Sequence, residues 1–166
     1  MPTNVRQIPE GFHAITPGLT CRNASKAIEY YKKVFGATER MRMDGPGGSI
    51  MHAEIQIGDS VMFVNDEFPG MAEAPKEGQL PYASLFLYTE DADAVVSRAV
   101  AEGGTMVMPP QDMFWGDRYG KVTDPFGHQW GVATHIEDVS PEEMEKRSAA
   151  WAASMAGTAA KAAGQG

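Results

Sequence analysis

Two stretches of this 166-residue chain decide its fold: NASKAIEYYKKVFG at residues 23–36 and DADAVVSRAVAEGG at residues 91–104. In the first stretch, apolar residues recur at intervals of three and four, which is typical of one buried face of an α-helix. Asn23 suits the N-cap because its side chain accepts hydrogen bonds from helical N–H groups, and Gly36 suits the left-handed end of a helix. The stretch therefore predicts an amphipathic helix.

The second stretch repeats the first at a separation of 68 residues. Asp91 takes the capping position of Asn23, and Gly104 takes the terminating position of Gly36. The apolar positions recur at the same separation and are Ala24, Ala27, Ile28 and Tyr31 in the first copy and Ala92, Val95, Val96 and Ala99 in the second. The shared cap, apolar face and stop indicate a tandem duplication.

Candidate strands surround each helix, one before it and three after it. They are rich in aliphatic and aromatic residues. In chain order they are AITPGLTC, ATERMRM, SIMHAEIQI and SVMFVND in the first copy, and YASLFLYT, TMVMPPQ, RYGKVTD and HQWGVATH in the second. The pattern predicts an α+β protein of two tandem βαβββ modules, at residues 12–65 and 81–138, joined by a Pro/Gly-rich linker at residues 66–80.

A two-residue turn formed by the Gly-Asp pair at residues 58–59 fixes which side chains of the first module share a face. It places Ile57 opposite Ser60, and Glu54 opposite Phe63. One face is then apolar and suits packing beneath the helix: Ala53, Ile55, Met62 and Val64. The other face is mixed and suits the lining of a cleft: His52, Glu54, Gln56, Phe63 and Asn65.

The end of the chain carries a separate helix signal. SPEE at residues 140–143 has a serine N-cap, a proline in the first turn and a glutamate that completes a capping box. We expect a C-terminal helix over residues 140–152 and a flexible tail over residues 153–166, where Ala and Gly dominate. Trp151 on this helix requires an apolar contact, in the same chain or in a partner.

The composition excludes several classes of function. A formal net charge of −8 and a pI near 4.9 oppose nucleic-acid binding, which depends on Lys and Arg. No apolar run is long enough to span a membrane, and the N-terminus lacks the apolar core of a secretory signal. Cys21 is the single cysteine, so an internal disulfide and a Cys-based zinc site are excluded. We expect a cytoplasmic protein that binds neither nucleic acid nor membranes.

The doubled βαβββ unit, the opening LTCRNASKAIEYYKKVFGA and the closing TDPFGHQWGVATH resemble the vicinal oxygen chelate superfamily of glyoxalase I, bleomycin-resistance proteins and extradiol dioxygenases. HAEIQIGDSVMFVND and FWGDRYGKVTDPFGHQW are similar to its PhnB-like branch. The resemblance implies a curved eight-stranded mixed sheet around a cleft, the glyoxalase/bleomycin-resistance fold, commonly completed by a homodimer. It specifies the fold better than the chemistry, because the superfamily contains lyases, isomerases, oxygenases and proteins that only bind.

The resemblance also implies where a divalent metal ion would bind, on the first and last strands of the two modules. These positions correspond to Thr16 and Ser84 on the first strands, and to Phe63 and Gly131 on the last strands. Protein sites for zinc, nickel, iron and manganese use imidazole and carboxylate groups, which these four residues lack. We therefore expect no metal cofactor, unless a divalent ion binds in an atypical site.

The candidates for an atypical site are His52 and Glu54, which stand two residues apart on the mixed face. This pair suits a weak metal site or a general base with its partner. It also suits a cross-strand polar pair that binds substrate or water. His128 and His135 are interpreted as ordinary residues of a turn and of a strand end.

A second candidate region is FWGDR at residues 114–118. Trp115 and Arg118 suit an aromatic wall beside a cationic group, which would bind a planar ligand or a carboxylate, with Asp117 orienting Arg118. The alternative is a structural loop that Trp115 holds to the core. Further predicted ligand-binding residues are Thr16, Gln56, Phe63, Ser84, Phe86 and Tyr88. An aromatic lining with few charges favours a mostly apolar ligand.

Two functions from different classes stay open. The first is a metal-independent protein of the bleomycin-resistance type that binds a small, partly aromatic molecule in its cleft. The second is a glyoxalase-like lyase or isomerase that uses His52 and Glu54 as acid and base or in an atypical metal site. A dioxygenase is the weaker enzymatic alternative.

Overall fold

The computed structural model describes residues 5–163, with side chains described through residue 156. Its elements occur in the order predicted for two βαβββ modules. The first module consists of β1 (Gly18–Cys21), α1 (Ala24–Phe35), β2 (Thr38–Asp44), β3 (Ile50–Ile57) and β4 (Ser60–Asp66), with a 3₁₀ turn at Pro46–Gly48. The second consists of β5 (Ser84–Tyr88), α2 (Ala92–Ala101), β6 (Thr105–Asp112), β7 (Asp117–Thr123) and β8 (Gln129–His135). A last helix, α3, covers Pro141–Ala163.

The strands form two mixed sheets with the same topology. The first sheet has the order β1-β4-β3-β2 and the second has the order β5-β8-β7-β6. In each sheet the edge strand that precedes the helix is parallel to its neighbour, and the other pairs are antiparallel. The predicted α+β fold of two tandem modules is confirmed. Its eight strands are divided into two four-stranded sheets, and linker residues line a cleft of about 760 Å³ together with residues of β1 and β5.

The helix caps follow the duplicated sequence pattern. The side chain of Asn23 accepts a hydrogen bond from Lys26 N at 3.0 Å, and that of Asp91 accepts one from Ala94 N at 2.9 Å. Gly36 ends α1 in the left-handed conformation, as predicted.

The end of α2 differs from the prediction, because Gly103 rather than Gly104 has the positive φ angle. Gly104 serves close packing instead. A Cβ atom at Gly104 would lie 2.8 Å from the Ala99 carbonyl oxygen and 2.8 Å from the Tyr30 hydroxyl. Gly103 therefore provides the left-handed conformation that ends the helix, and Gly104 provides the space for close packing.

The hairpin between β3 and β4 has the predicted two-residue turn. Ile57 pairs with Ser60, and Glu54 pairs with Phe63. Gly58 adopts φ 59°, a left-handed conformation that this turn type requires. The predicted division into an apolar and a mixed face follows, since Ala53, Ile55, Met62 and Val64 are all buried.

The helices of the two modules share one hydrophobic core with both sheets. Trp130 of β8 carries the largest side chain in that core, and it packs on α1 of the other module. Its ring centroid lies 4.3 Å from that of Phe35 and 5.5 Å from that of Tyr31. The modules are therefore joined by aromatic packing across the duplication.

Asp124 connects the two modules at the centre of this packing. Its side chain is 4% exposed, and one carboxylate oxygen accepts hydrogen bonds from Tyr31 Oη at 2.8 Å and Trp130 Nε1 at 3.0 Å. The other oxygen accepts bonds from the backbone N–H groups of Phe126 and His128, both at 2.9 Å. Burial raises the pKa of Tyr31, as does the Asp124 carboxylate, so the tyrosine hydroxyl remains a donor.

The C-terminal helix is longer than predicted. Glu143 N donates to Ser140 Oγ at 3.2 Å, which confirms the predicted N-cap. The helix extends beyond residue 152 to Ala163, where abundant alanine favours helix, and the flexibility of residues 153–166 stays a prediction. Residues 164–166 lie outside the described part of the chain.

Within residues 5–163, no helix is both long enough and apolar enough to cross a membrane. The cytoplasmic location stays a prediction.

We predict that Asp124→Ala lowers the free energy of unfolding by about 3 kcal/mol, because it leaves buried donors without an acceptor. Tyr31→Phe removes one donor from the same carboxylate and is expected to cost about 1 kcal/mol. Urea denaturation measures both changes, with Asp59→Ala in the exposed hairpin turn as the control. A smaller loss for Asp124→Ala than for Tyr31→Phe would contradict this role of the carboxylate.

Candidate functional site

An open aromatic surface lies on the side of the second sheet that faces away from the helices. We call it the aromatic face and define it by Phe86, Tyr88, Trp115 and Tyr119. Alternation along β5 directs Leu85 and Leu87 to the core and leaves the phenyl ring of Phe86 and the phenol of Tyr88 exposed, at 52% and 60%. The predicted placement of Ser84, Phe86 and Tyr88 on one face is consistent with this alternation.

The centre of the aromatic face is the part of β8 where the small residues Gly131 and Ala133 face away from the helices. On β8, Gly131 pairs with Phe86 on one side, and the ring of Tyr119 on β7 lies over it from the other. The rings of Phe86 and Tyr119 are nearly parallel, at 7°, with centroids 5.3 Å apart. A Cβ atom at Gly131 would lie 2.7 Å from Tyr119 Cε2 and 3.2 Å from Phe86 Cδ2. Gly131 therefore allows the two rings to stack across the strand.

A buried carboxylate organises one end of this face. Asp117 is 2% exposed, and its Oδ2 accepts hydrogen bonds from Trp115 Nε1 at 2.9 Å and Tyr88 Oη at 3.1 Å. Its Oδ1 lies 2.8 Å from Nδ1 of His135, the residue paired with it on β8. Asp117 therefore fixes the polar ends of two aromatic side chains and one imidazole.

His135 lies between two carboxylates. Its Nδ1 faces Asp117, and its Nε2 lies 2.9 Å from Oδ1 of Asp138. Because an ionised carboxylate only accepts hydrogen bonds, both ring nitrogens must be protonated to satisfy both contacts. Asp138 and Asp117 accordingly hold the pKa of His135 above its usual value. The arrangement favours an imidazolium cation beside the aromatic face.

A second, smaller cluster lies on the equivalent face of the first sheet. The ring of His52 lies 4.7 Å from that of Phe63, and its Nε2 lies 3.9 Å from Glu54 Oε1. Phe12 packs on Phe63 at 5.9 Å, and the guanidinium of Arg40 lies 5.1 Å from the centre of the Phe12 ring. The predicted His52–Glu54 pair is thus brought together beside Phe63. Within the described side chains, no ring contact joins this cluster to the aromatic face.

The four positions at which the resemblance implies metal ligands do not have a donor set for a metal ion. Phe63 presents a ring, and Gly131 has no side chain and is covered by two rings. Thr16 lies before β1, where its hydroxyl donates to the His13 carbonyl at 3.4 Å, and Ser84 is the exposed first residue of β5. In the described chain, no three His, Cys, Asp or Glu side chains form a group suited to a metal ion. The residues present therefore do not fit the usual metal of this fold.

Arg118 does not occupy the position that the sequence suggested. It lies on the side of β7 opposite Asp117, where its guanidinium pairs with Asp93 of α2 and with Asp112 at 2.9 Å. The prediction that Asp117 orients Arg118 is wrong, because successive residues of a strand point to opposite faces. The aromatic wall around Trp115 is present, but its cationic neighbour is His135.

The other predicted residues have mainly structural contacts. The amide of Gln56 donates to the Gly58 carbonyl at 3.0 Å and so supports the hairpin turn. His128 is not an ordinary turn residue, because its Nε2 lies 3.1 Å from the Thr20 carbonyl oxygen and 3.7 Å from Cys21 Sγ in the other module. Burial, with Asp124 as a further cause, raises the pKa of Cys21 to about 12, so this thiol remains protonated.

Sequence reasoning missed Tyr119 and the group formed by Asp117, His135 and Asp138. Strand alternation contained the signal, because Tyr119 and Asp117 are two residues apart on β7. The pairing of β7 with β8 then brings His135 opposite Asp117. Asp138 follows β8 and becomes a neighbour of His135 only through the path of the chain after the strand.

Comparisons with known proteins agree with this architecture. Residues 11–132 match the glyoxalase/bleomycin resistance protein/dioxygenase superfamily. The uncharacterized protein Rv0887c of Mycobacterium tuberculosis is 36% identical over 137 residues, which cover 80% of this chain and 80% of that protein. The X-ray structure of the Arabidopsis thaliana gene product At5g48480 is similar at 31% identity and a TM-score of 0.59, covering 74% of this chain and 98% of that one. The PhnB protein of Bacillus cereus shares the fold at 21% identity and a TM-score of 0.57, with 74% and 99% covered.

We predict that Asp138→Asn lowers the pKa of His135, because it removes one of the two carboxylates that stabilise the imidazolium. A raised pKa in the folded state stabilises the fold below the ordinary value of about 6.5, and this contribution is lost as pH rises through the folded pKa. The difference in free energy of unfolding between the parent protein and His135→Gln should therefore shrink as the pH rises from about 6.5 through the raised pKa of His135.

Titration of the His135 ring protons by NMR measures the pKa directly, and urea denaturation at several pH values measures the stability. Asp59→Asn, in the distant hairpin turn, is the control. An unchanged His135 pKa in both Asp138→Asn and Asp117→Asn would contradict the assignment.

Proposed function

Because this chain belongs to the glyoxalase/bleomycin resistance protein/dioxygenase superfamily, we propose that it binds a small, partly aromatic molecule on its aromatic face without a metal ion. The observation that carries this proposal is the exposure of Phe86 and Tyr88, which are 52% and 60% accessible on a preorganised sheet surface. Soluble proteins seldom leave contiguous aromatic surface open unless it binds something. In this proposal, the ligand packs against the exposed rings of Phe86 and Tyr88.

The packing of the face supports a planar ligand in particular. Phe86 stacks on Tyr119, Tyr88 lies 5.1 Å from Phe86, and Trp115 lies 5.9 Å from Tyr119. The hydrogen bonds of Tyr88 and Trp115 to Asp117 hold these rings in place before a ligand arrives. A preorganised site loses less conformational entropy on binding, which favours affinity.

Metal independence is supported by the residues at the expected ligand positions. The Phe63 and Gly131 positions hold or underlie aromatic rings, which contribute stacking surface rather than donor atoms. In this proposal, the surface that would hold a metal ion in related chemistry holds an aromatic ring of the ligand instead.

We also propose a homodimer, because both sheets leave apolar surface uncovered. Met41, Met43 and Met51 are exposed on the first sheet, as Phe86 and Tyr88 are on the second. A second copy of the chain would cover this surface and turn an open face into an enclosed cleft. Ligands in proteins are usually bound in concave sites of this kind.

A second candidate function rests on the His52–Glu54 pair. Their side chains approach to 3.9 Å, and the His52 ring is positioned by Phe63. A histidine with an adjacent carboxylate suits proton transfer in a glyoxalase-like lyase or isomerase. This candidate requires that both residues affect turnover of a substrate, whereas the binding function does not.

We predict that Phe86→Ala weakens binding of a neutral aromatic probe, 2-naphthol, by about fivefold, because it removes one stacking surface. Isothermal titration calorimetry measures the affinity. Tyr82→Ala is the matched control, since Tyr82 is a fully exposed aromatic residue that lines the cleft between β1 and β5 rather than the aromatic face. A loss confined to Tyr82→Ala would place the ligand in that cleft and contradict the proposal.

We predict that the protein binds no stoichiometric Zn²⁺, Mn²⁺ or Ni²⁺, and that 2-naphthol binds equally in the presence of a chelator. Elemental analysis after metal loading and calorimetry with each ion test this. His52→Ala and Glu54→Ala should leave the metal content unchanged. One equivalent of tightly bound metal that is lost in either variant would favour the second candidate function.

A further inference from the structure

We propose that the ligand of the aromatic face carries a carboxylate, which binds the imidazolium of His135 in place of the Asp138 side chain. The inference rests on the proposed aromatic-ligand function and adds the chemical class of the ligand, an aromatic acid. Its basis is the arrangement of Asp117, His135 and Asp138 at the end of the face.

The imidazolium is fixed from the protein side by Asp117. This carboxylate is 2% exposed and needs a positively charged neighbour, because burial of an unpaired charge is costly. His135 supplies that charge through Nδ1, while Tyr88 and Trp115 donate to the other oxygen. Nδ1 is therefore committed to the protein, and Nε2 is the donor that remains for a second carboxylate.

Asp138 shows that Nε2 can donate a hydrogen bond to a carboxylate. Its carboxylate lies 2.9 Å from Nε2 and is fully exposed to solvent. Exposed ion pairs contribute little free energy, because both groups are well hydrated when they separate. A carboxylate that is also held by ring stacking has an advantage over Asp138, which has no such support. Asp138 thus acts as an internal stand-in for the acid group of the ligand.

The cation and the aromatic rings are linked through a single carboxylate. Tyr88 Oη and Trp115 Nε1 lie 3.1 and 2.9 Å from Asp117 Oδ2, and His135 Nδ1 lies 2.8 Å from Oδ1. A planar ligand that lies against either ring would therefore lie on the same face of the sheet as His135. An aromatic acid supplies both the ring and the carboxylate that this arrangement would bind.

Two other charged side chains of this region, Glu137 and Arg118, have ion-pair partners of their own. On the C-terminal side, Glu137 is paired with Arg147 of α3 at 2.7 Å. Arg118 is on the opposite side of β7 and is paired with Asp93 and Asp112. Lys121 lies farther along β7 on the same face as Asp117, opposite Gly131, and is the alternative partner for a ligand carboxylate. It provides the matched control.

The test compares two probes of the same shape, 2-naphthoate and 2-naphthamide, by calorimetry at pH 6 with the full chain. We expect naphthoate to bind about tenfold more tightly, because its carboxylate forms an ion pair with the imidazolium, whereas the amide carbonyl of naphthamide is a neutral acceptor. His135→Gln should abolish this preference, and Lys121→Gln should keep it. At a pH where NMR titration shows His135 protonated in the variant as well, Asp138→Asn should tighten naphthoate binding by about threefold and naphthamide binding less, because it removes a carboxylate that competes with that of the ligand for Nε2.

The outcomes separate the two proposals. Equal binding of both probes by the parent protein would overturn the acid-group inference and leave the aromatic-ligand function standing. A failure of both probes to bind would overturn both. Loss of the preference in Lys121→Gln would assign the carboxylate to Lys121 and so overturn the role of His135. Asp138→Asn alters only an exposed side chain, so it keeps the test valid if His135→Gln does not fold.

Discussion

The Asp124 carboxylate is the interaction on which the arrangement of the two modules depends. It lies in the turn before β8, yet it accepts a hydrogen bond from the hydroxyl of Tyr31 in the first module as well as one from Trp130. The two helices and both sheets share one core, and an unpaired polar group in that core would be costly, so this buried acceptor constrains how the modules meet. The positions of β8 and of the residues that it carries, Gly131 and His135, follow from that constraint.

The duplication explains why the two modules have different surfaces on the same scaffold. Gly18 pairs with Phe63 in the first sheet, and Phe86 pairs with Gly131 in the second. The glycine and the phenylalanine have exchanged strands between the copies, so Phe63 itself occupies the last-strand metal position in the first module, whereas Phe86 pairs with Gly131 at that position in the second. In the second module, Tyr119 adds a further ring over the glycine, which makes this copy the better binding surface.

Local sequence signals predicted most of the fold, and side-chain pairing over long distances limited the prediction of the site. Caps, turns and strand alternation depend on neighbouring residues, which is why the hairpin at residues 58–59 and the helices were predicted correctly. The sequence predicts Arg118 in the site because it is close to Trp115 along the chain, but Arg118 and Asp117 are successive strand residues and therefore face opposite ways. Asp138 and His135 meet Asp117 only after β7 and β8 pair, so their joint role is visible in three dimensions alone.

If an aromatic ligand binds beside the imidazolium that Asp117 holds, chemical-shift mapping by NMR will locate it when 2-naphthoate is added to isotope-labelled protein. We expect the largest changes at Gly131, Ala133 and the His135 ring, along the strand beneath the aromatic face. Changes confined to His52 and Phe63, or to the cleft between β1 and β5, would contradict this placement of the ligand.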